Sequence, residues 1–129
     1  MGQLAAKQGD KVTATDQHLI QPPGTSPPVS TPLPFAGIID GGLSTNVNIM
    51  GLPAATKDST ATNIPAHMPV GGTFVNPPTN KATIIKGSAT VSINGKPAAR
   101  SGDAANTCND PSDQPVGSVV AAGTVSIGD

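Results

Sequence analysis

Apolar residues in this chain come in short runs of period two, and nowhere do they recur at helical spacing over three turns. Thr90-Val91-Ser92-Ile93 alternates polar and β-branched apolar residues, and Asn94-Gly95 follows at once, which predicts a half-buried strand closed by a tight turn. Beyond the turn Pro97 has no N–H for a strand ladder, and Ala98-Ala99 are too small to fill a core. That part of the chain is therefore expected to lie close against neighbouring backbone. Arg100 and Asp103 then place opposite charges on the following loop.

The unit recurs. Residues 44–55 align with 88–99 without a gap and share Ser, Val, Ile, Gly, Pro, Ala and Ala, seven identities in twelve positions. A third, truncated copy, Gly123-Thr124-Val125-Ser126-Ile127-Gly128-Asp129, closes the chain. Three equivalent strands follow, with Val47/Ile49, Val91/Ile93 and Val125/Ile127 as inward pairs. Further short strands are expected at 12–16, 35–40, 71–75 and 82–86, and residues 116–122 lead into the last strand. Residues 21–34 carry six prolines and lack too many amide donors for a central strand, so they read as an extended loop with polyproline character. The fold class is thus mainly β: one small domain over residues 1–129, built of short strands and long Pro/Gly-rich loops, whose repeat units are expected to use the whole of it.

Composition changes this picture in one respect. The 129 residues include two Phe, no Trp and no Tyr, and Leu, Ile, Val and Phe together make up about a fifth of the chain. A net charge of −1 argues against disorder, which needs high charge as well as little apolar material. A core this thin calls for a staple, and one cysteine cannot form an internal disulfide, which leaves a metal or a partner. With no basic stripe and almost no aromatic residues, nucleic acid is not an expected partner. The longest apolar run is far too short to span a bilayer, and residues 1–7 lack the build of a secretory signal, so synthesis and folding in the cytoplasm are expected.

His18, His67 and Cys108 are the only soft metal ligands apart from methionine, and each falls in a different third of the chain, on the loop side of a strand unit. If the three units surround one axis, these residues meet at one end. Imidazole and thiolate together favour zinc, and pinning three distant loops would offset much of the missing core. A fourth ligand is required, for which Asp16, Asp110, Asp113 or water can serve. An open coordination position is also what a catalytic zinc keeps, so a small zinc-dependent hydrolase using His18, His67 and Cys108 is the alternative. A Cys108 nucleophile with a histidine base is a further variant of it.

The tetrapeptide Pro97-Ala98-Ala99-Arg100, the repeated strand before it and Gly102-Asp103 after it resemble the PAAR-repeat family. That resemblance implies a small conical β fold, pseudo-threefold and pinned by a metal at its apex. The implied role is to cap the trimeric β-helical spike of a type VI secretion system or a related phage-tail-like injection machine. It implies zinc as cofactor, held by His18, His67 and Cys108. The implied partners are one homotrimeric spike per tip, effector cargo in some members, and the target membrane on contraction. The implied function is mechanical rather than enzymatic, with assembly at the particle tip. Two departures stand out: the fourth ligand, commonly another histidine in the family, and Thr56, which stands where the second repeat has Arg100.

Overall fold

A computed structural model describes residues 2–128 of the chain, which form thirteen strands and, among those residues, no helix. In order these are β1 (Gln3–Leu4), β2 (Lys11–Gln21), β3 (Val29–Gly41), β4 (Asn48–Ile49), β5 (Leu52–Pro53), β6 (Thr60–Asn63) and β7 (Thr73–Phe74). They continue with β8 (Lys81–Ile84), β9 (Ser92–Ile93), β10 (Lys96–Pro97), β11 (Ala104–Thr107), β12 (Gln114–Val120) and β13 (Ser126–Ile127). Six strands run antiparallel in the order β12-β11-β8-β6-β3-β2, and β12 pairs back onto β2, closing a barrel. Over the closed part of the barrel this leaves no free edge of the kind that would otherwise invite aggregation. This is the small all-β architecture expected from the repeats, with the cone-like form that the resemblance implies.

The barrel consists of three arms, β2/β3, β6/β8 and β11/β12, and each arm connects to a two-stranded hairpin at the base. In all three hairpins a residue of the second strand faces a residue of the first in the same register: Pro53 faces Asn48, Pro97 faces Ser92, and Leu4 faces Ser126. The turns at Met50-Gly51 and Asn94-Gly95 have positive φ at both positions (53° and 83°; 53° and 80°), the backbone that a two-residue hairpin loop demands. Ile49, Ile93 and Ile127 are buried in one cluster with Ala5, Ala54 and Ala98, with Val47 and Val91 packed against it. Val125, expected inward, is 39 % exposed.

The third copy is not truncated. Its second half is supplied by the other end of the chain, because β13 pairs with β1, and Ala5-Ala6-Lys7 continues into Gly9-Asp10 as Ala98-Ala99-Arg100 continues into Gly102-Asp103. Gly9 and Gly102 have φ near +90°, and Asp58 at the same point of the first repeat is forced to +79°. At the centre the Ala6 N–H donates to the Ala99 carbonyl (3.0 Å), Ala99 N–H to Ala55 (3.1 Å), and Ala55 N–H to Ala6 (3.0 Å). The ring closes on itself around the pseudo-threefold axis. All three alanine side chains are fully buried, and a larger residue at any of them would force the three backbones apart.

Each repeat folds its loop back in the same way. Arg100 N–H donates to Asp103 (2.7 Å), Lys7 N–H to Asp10 (3.1 Å) and Thr56 N–H to the Ser59 hydroxyl oxygen (2.9 Å). In two copies this is reinforced by a buried ion pair, Arg100–Asp103 at 2.8 Å and Lys7–Asp10 at 3.1 Å, whereas Thr56/Ser59 is an uncharged version. Above the ring, Val12, Ala61 and Ala105 of the rising strands pair in register with Val119, Ile39 and Ile84 of the neighbouring strands, and all six are essentially solvent-free.

The proline-rich stretch departs from expectation. Residues 29–34 belong to β3 and pair with β2, Pro32 opposite Gln17 and Pro34 opposite Thr15. The prolines are tolerated because this upper part of β3 pairs on one side only; β6 joins the other side from Gly37 downward. Leu33, Phe35 and Ile39 alternate inward while Pro32 and Pro34 face solvent. β2 likewise runs well beyond residue 16, so the first arm is a tall hairpin of 11 and 13 residues beside arms of four to seven.

Removing Asp103 takes from the buried Arg100 its paired carboxylate and from the Arg100 N–H its acceptor. Asp103→Ala is therefore expected to cost about 3–5 kcal/mol in chemical denaturation. The double change Arg100→Thr with Asp103→Ser, which copies the first repeat, should cost clearly less. A double variant as unstable as the single one would contradict the equivalence of the loops.

Candidate metal centre

The alternation of β2 places Val12, Ala14, Asp16, His18 and Ile20 on one face, pointing into the molecule. Asp16 and His18 are thus strand residues above the core, where the sequence suggested the loop side for His18. Asp16 is completely buried and His18 is 1 % exposed. A carboxylate without solvent requires compensating donors or a cation.

The other two arms deliver one residue each. His67 follows β6 by four residues, and Cys108 directly follows β11. One ligand atom from each of Asp16, His18, His67 and Cys108 lies within 4.8 Å of all the others. His67 Nε2 is 2.8 Å from Asp16 Oδ2, and the Cys108 thiol donates to the same oxygen at 3.5 Å. The two imidazoles sit 4.9 Å apart between ring centres; Phe74 of β7 meets His18 edge-on at 5.8 Å, and Phe35 meets His67 at 6.0 Å.

Of the alternatives for a fourth donor, Asp16 is the residue that joins the group. Asp113 is exposed, and Asp110 approaches only His18, its Oδ2 lying 3.6 Å from Nδ1.

Residues invisible to motif reading hold these donors. Asp16 Oδ1 accepts the Thr107 hydroxyl and the Asn109 side-chain amide, so that Oδ2 is turned toward His67 and Cys108. Asn109 also takes the Gln17 N–H on its Oδ1 at 2.7 Å, tying the segment after β11 to β2. Asn80 accepts the His67 N–H (2.8 Å) and the Asn63 amide (3.1 Å), and its own backbone N–H donates to Cys108. It does so from the left-handed region, φ +57°, which asparagine tolerates better than most residues. Alternation within β2 would have marked Asp16 from sequence, since a charged residue at an inward position is itself a signal. The roles of Asn80 and Asn109 depend on loop paths that no local pattern encodes.

Neither nitrogen of His18 has a hydrogen-bond partner, although the ring is buried. An orphaned imidazole of this kind, beside a carboxylate, a second imidazole and a thiol, fits a cation. Burial pushes the Cys108 thiol up from 9.0 to about 11; the negative charge of Asp16 and the hydrogen bond to it add to the rise, and the Asn80 N–H and Thr79 side chain oppose it. At neutral pH the metal-free residue is therefore a thiol, and a cation must displace its proton to bind sulfur.

These features define a class: a closed, pseudo-threefold β barrel with an alanine ring at its base and a four-donor group in its upper half. The family model for the PAAR motif matches residues 24–109 and again 76–129, and the chain belongs to that family. No curated protein matches the sequence.

Because the folded pKa of Cys108 lies above the unfolded value, its contribution to stability is complete below about pH 9 and is lost as pH rises toward 11. Metal-stripped protein should accordingly lose several degrees of melting temperature between pH 8 and pH 10.5 beyond any loss shown by Cys108→Ser. Parallel melting curves for the two proteins would contradict the assignment.

Proposed function

We propose that the chain is a metal-pinned tip that caps the end of a homotrimeric β-helical spike in a contractile injection machine, a type VI secretion system or phage-tail-like particle. The observation that carries this reading is one polypeptide folded as three, with hairpins in identical register around the alanine ring. Such a base matches three strand ends of a homotrimer with a single subunit, one tip per trimer. Among the described residues, β4, β9 and β13 each have one ladder partner, so each hairpin offers an edge for strand addition. Leu52 and Val125, both about two-fifths exposed, and Met50 lie on the hairpins as apolar contacts.

The metal in this reading is zinc. Two imidazoles, a thiolate and a carboxylate are zinc donors, and two anionic ligands neutralise a divalent cation in a buried site. Asp16 takes the place of the further histidine common in the family. The enclosure of four donors speaks for a closed, structural site, and a hydrolase, which keeps an open position, is not favoured. On this account the protein is made in the cytoplasm, joins the particle there, and meets the target membrane first on contraction, with or without effector cargo.

Two measurements test this. Elemental analysis should find about one zinc per chain, and Cys108→Ser should lose the metal together with melting temperature; a folded protein that takes up no zinc would remove the metal from the reading. Separately, Leu52→Asp with Val125→Asp should keep the melting temperature while abolishing one-to-three capture by the trimeric spike. Undiminished capture by that variant would refute docking through the base.

A further inference from the structure

Asp110 lies outside the four-donor group but next to its least satisfied member. We infer that Asp110 orients His18 for the metal by accepting the proton on Nδ1, which leaves Nε2 as the ligand atom. This rests on the zinc reading above.

A buried imidazole with both nitrogens unpartnered is costly, and each nitrogen needs a distinct role. Asp110 Oδ2 is 3.6 Å from Nδ1, just beyond hydrogen-bond length, and nothing else bonds that atom. The carboxylate is itself held in place. Its Oδ2 accepts the Leu19 N–H at 2.7 Å, its Oδ1 faces the Asn76 amide at 3.4 Å, and its backbone N–H donates to Gln17 at 2.8 Å. Its side chain is 7 % exposed. A small movement of the ring closes the bond, whereas Asp110, fixed on β2 backbone on both sides of His18, has little freedom to adapt.

Histidines that bind metals commonly donate their other N–H to a carboxylate or carbonyl, which fixes the tautomer and makes the ligand more basic. Here one short segment supplies three roles in succession. Thr107 and Asn109 hold Asp16, Cys108 presents sulfur, and Asp110 faces His18. Phe74 meets the same ring edge-on, 5.8 Å between ring centres, and adds an apolar neighbour to it.

The test uses the full chain loaded with zinc. Nitrogen-15 spectra of labelled histidine should show His18 in wild type with the proton on Nδ1 and the metal on Nε2. Asp110→Asn, which keeps an oxygen for the Leu19 N–H, should weaken zinc about 10- to 100-fold in chelator competition and disturb that tautomer. The melting temperature of the metal-free protein should stay unchanged. One zinc held by wild type with His18 bound through Nδ1, or an affinity in Asp110→Asn within about twofold of wild type, overturns this inference and leaves the zinc reading intact. A variant that loses metal-free stability in proportion to affinity shows a merely structural carboxylate and overturns it too. Wild type without zinc overturns the zinc reading, and this inference with it.

Discussion

Three backbone hydrogen bonds, Ala6 to Ala99 to Ala55 and back to Ala6, set the geometry of this protein. Three chain segments can approach one axis this closely only if the side chains there are no larger than a methyl group, so the smallness of the repeat residues is a structural requirement. The axis in turn fixes the register of the three base hairpins and the direction in which each arm leaves the base. Loops that return through Lys7–Asp10, Thr56–Ser59 and Arg100–Asp103 aim β2, β6 and β11 upward from equivalent points. The two buried ion pairs and their neutral counterpart perform the same turn, which separates the geometric part, a side-chain oxygen accepting a backbone N–H, from the charge that reinforces it.

Threefold equivalence persists through the core layers and is abandoned above them. The first arm is extended, and its inward face changes from Val12 and Ala14 to Asp16 and His18. The other arms turn into loops at that height and present His67 and Cys108. Symmetry serves the base, where three like contacts are needed; asymmetry serves the site, where four unlike donors converge. Buried apolar residues, Leu33, Phe35 and Ile20, continue to the height of the donors, and polar coordination there adds to apolar burial in holding the loops together.

The sequence itself determined the β character, the repeat and the small residues at the axis, because alternation, turn dipeptides and identities in register are local properties. It also held the completion of the third repeat, in Ala5-Ala6-Lys7 and Gly9-Asp10, but as two pieces at opposite ends of the chain that only pairing of β13 with β1 unites. Residues 29–34 misled because proline content opposes a central strand, and only the barrel's connectivity makes this part of β3 an edge. His18, His67 and Cys108 were legible as rare residue types. Asp16 as their companion, Asp110 beside His18, and the holding roles of Asn80 and Asn109 were decided by the tertiary structure, because residues tens of positions apart become neighbours only when three arms rise around one axis.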